Sequence, residues 1–141
     1  MKRWTLLAIV LALILSACSS EAQLGTAKGN LAPISQLPPS VQQSPTRVRE
    51  AYQFAVANPD LLKQIPCYCG CGAMGHTSNY ACYVKAVKPD NDVTFDEHAL
   101  GCSLCVDITQ DAMRLSGEGK PAQDIRTEIV AAYSKFGPPN Q

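Results

Sequence analysis

The sequence lacks the short motifs that mark several common classes of enzyme. It contains no G-x-S-x-G or H-E-x-x-H stretch, and Val106 follows Cys105 where covalent haem attachment needs a histidine. Residues 70–75 match the dinucleotide pattern G-x-G-x-x-G, but they come shortly after a proline rather than after a strand. We therefore predict no nucleotide cofactor, and the sequence leaves open whether the protein is an enzyme.

Charged residues are scarce as well. They make up 17% of the chain, with 12 basic residues against 12 acidic ones. Cleavage of an N-terminal segment that contains Lys2 and Arg3 would leave 10 basic residues against 12 acidic ones, a net charge of −2. No basic patch and no run of like charges remains, which argues against a nucleic-acid partner and against a helix lying on a membrane surface.

The N-terminus has the three regions of a bacterial export signal. Met1, Lys2 and Arg3 form a short positive region, and residues 4–17 are an apolar stretch too short to cross a membrane comfortably. The stretch leads into L-S-A-C, which resembles the lipobox of bacterial lipoproteins, whose signal is cut before an acylated cysteine. We predict a signal peptide over residues 1–17 and lipidation of Cys18. The protein would then be lipid-anchored in the cell membrane and face outside the cytoplasm.

The alternative for this segment is an ordinary secretory signal or an uncleaved anchor, in which Cys18 has no role. Beyond it, residues 18–44 are rich in Ser, Gln, Pro and Gly and show no sustained apolar period, so we expect a disordered tether after the lipidated cysteine. From Pro45 the apolar residues recur at helical spacing, and no segment alternates like a strand. The prediction is a small all-α domain over residues 45–141, with about four helices and a Cys/Gly-rich loop.

The first two helices are predicted from their start and stop residues. The first has Ser44 as its N-cap and Pro45 at its first position, and Pro59 interrupts it. A short second helix over residues 79–87 would carry Cys82.

A polar loop over residues 88–101 separates these from two further helices. The third is predicted over residues 103–116, and Pro121 opens the fourth. The apolar stripe of the fourth helix consists of Ile125, Ile129, Ala132, Tyr133 and Phe136.

Six cysteines remain once Cys18 is assigned to the lipid. An even number of cysteines outside the cytoplasm usually means disulfides. A disulfide framework is therefore the first alternative that any other interpretation must exclude. Three of the six alternate in P-C-Y-C-G-C, so in an extended backbone their sulfurs point to one side, and Gly70 and Gly72 let the chain curl. A disulfide between cysteines two residues apart would be strained. Binding of the same sulfurs to one soft ion, Cu(I) or Zn²⁺, would cause no such strain. The six are Cys67, Cys69, Cys71, Cys82, Cys102 and Cys105.

Cys102 and Cys105 form a C-x-x-C pair at the predicted start of the third helix, a spacing that puts both sulfurs on one face. The helix dipole favours the thiolate of Cys102. The pair is open to three interpretations: a reversible dithiol, two metal ligands, or two halves of separate structural disulfides. With Cys82 it makes a second group of three that would face the first.

His76 and His98 are close in sequence to these cysteines and are candidate metal ligands. Taken alone, each is more often a loop or capping histidine. The proximity to cysteines strengthens the case for His76 more than for His98. Met74 offers a soft thioether beside the loop, although packing or exposure is the commoner role.

The cysteines and histidines together form a recognisable pattern. P-C-Y-C-G-C at residues 66–71 is followed by G-H at 75–76, C-Y-V at 82–84 and H-A-x-G-C-x-x-C at 98–105. This pattern resembles the bacterial PCYCGC-motif lipoproteins over essentially the whole domain. The resemblance implies that all six cysteines and both histidines belong to one unit, and it implies no particular activity.

A second resemblance covers only the C-terminal part of the chain. A C-x-x-C opening a helix, a glycine-containing turn and a helix ending in Y-S-K-F-G-P at residues 133–138 are similar in outline to the cytochrome c maturation H family. Those proteins are membrane-tethered helical thiol–disulfide proteins. This chain lacks the Leu-Arg that usually precedes their first cysteine, and it has four additional cysteines. The resemblance therefore implies a helical hairpin more than a reductase.

Three functions remain open. The first is an extracytoplasmic lipoprotein that binds copper or zinc through the six thiolates, together with His76 and His98, and serves a partner metalloprotein. The second is thiol–disulfide exchange through Cys102 and Cys105 with a redox partner. The third is a disulfide-stapled binding module with no site. The alternating cysteines rank metal binding slightly ahead.

Overall fold

The computed structural model describes residues 30–140, which form a mostly helical domain with one small two-stranded sheet. The predicted helical character is confirmed, whereas a strictly all-α fold is wrong because of the sheet. Within the described range the helices are α1 (Pro39–Gln42), α2 (Thr46–Ala57), α3 (Pro59–Leu62), α4 (His98–Gly101), α5 (Ser103–Gly117) and α6 (Ala122–Tyr133), and the strands are β1 (Val84–Val87) and β2 (Val93–Phe95). Short 3-10 turns lie at Ile34–Gln36, Gly72–Met74, Tyr80–Cys82 and Ser134–Phe136.

Helices α2, α5 and α6 form the centre of the core, and α5 packs against both of the others. Tyr52 of α2 contacts Tyr83, with ring centroids 4.9 Å apart and an interplanar angle of 85°. This is the edge-to-face arrangement that aromatic quadrupoles favour. The buried face of α5 consists of Cys105, Val106, Ile108, Thr109, Ala112, Met113 and Leu115. Because Cys105 belongs to this face, helix packing itself holds one of the six thiols in the core.

The segment predicted as the second helix is instead a 3-10 turn followed by a strand. Tyr80–Cys82 forms the turn, and β1 then pairs antiparallel with β2, with Val84 opposite Phe95. Valines favour a pleated, half-buried strand over a helix, which explains why Y-V-K-A-V extends. Asn91, with a φ of 64°, lies in the turn between the strands. The predicted polar loop over residues 88–101 therefore contains β2 and α4.

Residues 30–44, predicted as part of the tether, pack onto the helices. Leu37 and Val41 are buried in the core, and the backbone N–H of Ala32 donates to the carbonyl of Gln53 at 3.0 Å. Pro38 is the N-cap of α1 and Pro39 is its first residue, positions at which a helix tolerates proline. The packed domain therefore begins before the boundary predicted at residue 45. The prediction missed this part because its few apolar residues are separated by many Ser, Gln and Pro residues.

Helix α2 begins one residue later than predicted, with Pro45 at the N-cap position. Ser44 does not cap it, because its hydroxyl donates to the carbonyl of Val41 at 2.6 Å. Helices α5 and α6 lie where the third and fourth helices were predicted. On α6 the buried stripe is Ile125, Ile129 and Tyr133, whereas Ala132 and Phe136 are exposed. Phe136 leaves the stripe because the α-helix gives way to a 3-10 turn after Tyr133.

None of the helices within residues 30–140 has the length and apolar character needed to cross a bilayer. The predicted signal peptide over residues 1–17 and the predicted lipidation of Cys18 lie outside the described residues.

Candidate metal centre

The loop after α3 carries three cysteines towards the core. Cys67 is buried, and Cys69 and Cys71 are half-buried. Gly70 lies between Cys69 and Cys71 and has a φ of 75°, so the chain turns sharply there. A residue with a Cβ adopts this φ only at a cost in free energy. The backbone N–H of Asn140 donates to the carbonyl of Cys67 at 2.8 Å, so the C-terminal segment fastens the start of the loop.

Cys105 lies on the first turn of α5, and three buried side chains hold its carbonyl. Asn79 Nδ2 donates to this oxygen at 3.2 Å and the Tyr83 hydroxyl at 2.9 Å, and Thr109 Oγ1 lies 3.1 Å from it. Thr109 Oγ1 also lies 2.6 Å from Asn79 Oδ1 and 2.7 Å from the Tyr83 hydroxyl. A fully partnered buried network of this kind fixes a local geometry, and here it fixes the position of Cys105.

Four sulfurs from three segments of the chain meet at the core: two from the cysteine loop, one from the Tyr80–Cys82 turn and one from α5. Cys67 Sγ lies 3.4 Å from Cys82 Sγ and 3.6 Å from Cys105 Sγ. Cys69 Sγ completes the set, in which all four sulfurs lie within 4.8 Å of one another. In a regular tetrahedron with Zn–S bonds of about 2.3 Å, neighbouring sulfurs lie about 3.8 Å apart. The 3.4 and 3.6 Å separations are slightly shorter than this value and none exceeds 4.8 Å, so this set, which we call the four-sulfur group, is close in size to a tetrahedral thiolate site.

Hydrogen bonds inside the four-sulfur group select Cys67 as the first thiolate. Those from Cys105 and Cys82 hold the pKa of Cys67 well below its usual range, against the effect of burial. The pKa of Cys105 is raised, chiefly by its hydrogen bonds with Cys102 and Cys67. Burial raises the pKa of Cys69 to about 11. The group thus holds one negative charge readily, and it gives up its other protons when a cation replaces them.

A second group of donors includes the same Cys69 and adds two imidazoles. One ligand atom each from Cys69, Cys71, His76 and His98 lies within 4.8 Å of the others. His98 Nε2 is 3.6 Å from Cys71 Sγ, and the centroids of the two imidazole rings are 4.6 Å apart. Two sulfurs and two imidazole nitrogens form a donor set typical of zinc. We call this set the mixed group.

His76 has one ring nitrogen with a partner and one without. Its Nε2 lies 3.4 Å from the Oδ2 atom of Asp96. Its Nδ1 is buried and has no hydrogen-bond partner among the described residues. The side chain is only 3% exposed, so solvent does not replace the missing partner. Leaving such an atom unpaired costs about 1–3 kcal/mol, and a metal ion in the mixed group would remove that cost.

Asp96 positions both histidines. While Oδ2 faces His76, Oδ1 accepts the backbone N–H of His98 at 2.8 Å. Tyr52 donates its hydroxyl to the Asp96 carbonyl at 2.8 Å, and Lys85 Nζ lies 3.7 Å from Oδ2. A carboxylate behind a ligating histidine is the usual way that proteins fix the ring orientation and the tautomer.

Cys102 lies outside both groups. Its sulfur is 3.0 Å from Cys105 Sγ at the N-terminus of α5. The hydrogen bond from Cys105, with a smaller effect of His98, lowers the pKa of Cys102 to about 6. These three residues form a further set of close donors, which shares Cys105 with the four-sulfur group and His98 with the mixed group. Cys102 is therefore placed for thiol chemistry beside the two groups.

The structure brings all eight predicted donors into one region, but not as the two predicted triads. Cys67 joins Cys82 and Cys105, whereas Cys71 joins the histidines. All six cysteines of the described residues are free thiols. Met74 belongs to neither group, and its side chain is 68% exposed.

Two residues that shape the site are absent from the predicted set. Asp96 precedes His98 by two residues, the spacing at which an aspartate commonly accepts a backbone N–H, so a local signal existed. Asn140 Nδ2 donates to Cys69 Sγ at 3.1 Å, and no local pattern links positions so far apart in the chain. The second positive φ of the loop occurs at Gly75 instead of the predicted Gly72.

Residues 7–141 match a protein family described as proteins of unknown function with a PCYCGC motif. The chain belongs to the PCYCGC-motif family. No curated protein and no solved structure matches the chain. Both donor groups lie within the region of the PCYCGC match. The resemblance to the cytochrome c maturation H family finds no support in these comparisons and stays a prediction.

Proposed function

We propose that this PCYCGC-motif protein binds a soft metal ion through the four-sulfur group. The observation that carries the proposal is the meeting of four cysteine sulfurs within 4.8 Å of one another. Thiolates select soft and borderline ions, whereas Mg²⁺ and Ca²⁺ require oxygen donors, which this group lacks. The ion would take the place of the protons that the crowded thiols now share.

The number of donors favours Zn²⁺ over Cu(I). Structural zinc sites are four-coordinate and tetrahedral, and a set of four cysteines is among the commonest of them. Cu(I) also selects thiolates, but it is satisfied by two or three of them. We therefore propose Zn²⁺ as the ion of the four-sulfur group, with Cu(I) as its competitor.

The proposed setting is the outer side of the cell membrane. The L-S-A-C sequence before residue 19 supports an anchor made of lipid attached to Cys18. A metal-binding domain held there would supply an ion to a metalloprotein at the same membrane or receive one from it. The half-buried donors of the mixed group lie beside the buried ones and support exchange with such a partner.

The test is metal and thiol analysis of the full-length chain, purified in detergent without oxygen and with reductant. We expect about one or more zinc or copper ions per chain, and ligand thiols that alkylating reagents reach only after a chelator removes the metal. Cys82→Ser removes a buried donor and should weaken binding at least about tenfold. Met74→Leu is the control, because the exposed Met74 side chain belongs to none of these donor sets, and it should leave the affinity unchanged.

Two results would overturn the proposal. One is protein with six free thiols that binds neither Zn²⁺ nor Cu(I) on titration. The other is native protein in which mass spectrometry finds three fixed disulfides, which would favour the stapled binding module.

Thiol–disulfide exchange is the second candidate function, and the 3.0 Å separation of Cys102 Sγ and Cys105 Sγ favours it. In this reaction the two thiols lose two electrons and two protons and form one S–S bond, while the disulfide of a partner protein is reduced to two thiols. The test is the reduction potential of the pair. A potential well above about −300 mV supports exchange, and a lower one indicates a structural disulfide.

A further inference from the structure

The mixed group differs from the four-sulfur group in chemistry and in exposure. Among the donors that the two groups do not share, Cys67, Cys82, Cys105 and His76 are buried, whereas Cys71 and His98 are half-buried. We propose that the mixed group is a second metal site, so that the protein holds a dinuclear centre in which the Cys69 thiolate bridges the two ions. This inference rests on the proposed function of the four-sulfur group, since Cys69 belongs to both groups.

The unpaired nitrogen of His76 is the first observation that supports a second ion. Asp96 occupies Nε2 and thereby leaves Nδ1, which is buried and without a partner, as the ligand atom. The four-sulfur group contains no histidine, so an ion bound there does not account for this nitrogen. The 3.6 Å separation of His98 Nε2 and Cys71 Sγ adds two further donors at ligand spacing.

Charge is the second supporting argument. Four thiolates around one Zn²⁺ carry a net charge of about −2, which is costly to bury. A second Zn²⁺, bound by the Cys71 thiolate, two neutral imidazoles and a shared Cys69, reduces the charge of the whole centre to about −1. Asn140 Nδ2 donates to Cys69 Sγ at 3.1 Å and supports negative charge on this sulfur.

The difference in exposure assigns different roles to the two ions. The ion of the four-sulfur group lies in the core among Cys67, Cys82 and Cys105, and it would exchange slowly. The ion of the mixed group lies nearer the surface, and it would be the one that a chelator or a partner reaches first. The ion that best suits this second site is a borderline divalent cation, and we propose Zn²⁺.

The experiment uses the full-length chain, purified reduced in detergent and loaded with Zn²⁺ or with cadmium-113. We expect two ions per chain and an X-ray absorption spectrum that averages about three sulfur ligands for each nitrogen. The cadmium-loaded protein should give two NMR resonances, split by coupling through the shared Cys69 sulfur.

Variants separate the second site from the first. His98→Ala changes a half-buried side chain and should lower the stoichiometry from two ions to one, with only sulfur around the ion that remains. His76→Ala should do the same and provides a second variant if either folds poorly. Met74→Leu is the control, since this exposed thioether belongs to neither group, and it should keep both ions.

Each remaining outcome is decisive. A parent protein that binds one ion with sulfur ligands alone overturns the second site and leaves the proposed function intact. Two cadmium resonances without coupling overturn the Cys69 bridge. A parent protein that binds neither Zn²⁺ nor cadmium overturns this inference and the proposed function together.

Discussion

His76 and Asp96 contact one another through a single ring nitrogen, with Nε2 of the imidazole 3.4 Å from Oδ2 of the carboxylate. The same carboxylate accepts the backbone N–H of His98 through its other oxygen. One acidic side chain therefore determines the orientation of one imidazole and the start of the helix that carries the other. The mixed group depends on Asp96 although Asp96 is not one of its ligands.

Asp96→Asn tests this dependence. The amide keeps the size of the side chain but loses its charge, so it orients His76 less firmly, and we expect Zn²⁺ affinity at the mixed group to fall about 10–100-fold. Competition with a chelating dye measures the change. Asp92→Asn in the exposed hairpin turn is the control and should change neither site. Unchanged affinity in the Asp96 variant would show that the carboxylate has no part in metal binding.

Gly70→Ala tests the curl of the cysteine loop. Nothing lies within 4 Å of a Cβ placed at this position, so the cost comes from the φ of 75° alone. We expect a loss of about 1–2 kcal/mol in the free energy of unfolding of the metal-free protein, measured by urea denaturation. Gly101→Ala, equally uncrowded and with no positive φ, is the control. Equal stabilities for the two variants would contradict the claim that Gly70 is needed for its backbone conformation.

Thr109→Val tests the network beneath Cys105. Valine has nearly the same shape as threonine but makes no hydrogen bond, so Asn79 Oδ1 loses the buried hydroxyl that donates to it at 2.6 Å. We expect destabilisation of about 1–3 kcal/mol by chemical denaturation of the reduced protein. Thr127→Val on the exposed face of α6 should stay within about 0.5 kcal/mol of the parent. A similarly small effect at Thr109 would mean that the network does not stabilise this end of α5.

Metal binding should weaken as the pH falls. The pKa of Cys69 is raised to about 11 by burial, so the empty protein keeps this proton at neutral pH and must release it when an ion binds. The loaded state therefore holds fewer protons than the empty state, and lower pH favours the empty state. We expect the Zn²⁺ affinity to fall about tenfold per pH unit for each proton displaced. Titrations between about pH 6 and 8 measure this slope, and an affinity independent of pH would exclude protonated thiols as ligands.

The helices and the donors were predictable for different reasons. α5 and α6 are long, have clear apolar spacing and end near Gly and Pro, so local rules locate them well. The donors were found from residue type and spacing alone, and the structure gathers them in one region. Their division into two groups was not predictable. It depends on the hairpin that returns the chain to Asp96 and on the contact of Asn140 with Cys69.

The wrong predictions share a physical cause. The strand β1 and the packed segment around Leu37 and Val41 are short, and each is stabilised by contacts with distant parts of the chain. Local composition favoured a helix for the first and disorder for the second. Tertiary contacts override local propensity most easily in segments of this length.

The four-sulfur group joins chain positions that are far apart, since Cys67 and Cys105 are 38 residues from one another. An ion held there acts as a reversible cross-link, and any ligand of the folded state makes unfolding rarer. Proteases attack mainly the unfolded chain, so the lifetime of this protein in a cell would lengthen when the ion is plentiful and shorten when it is scarce. Its abundance would then follow the supply of metal without any change in the rate at which it is made.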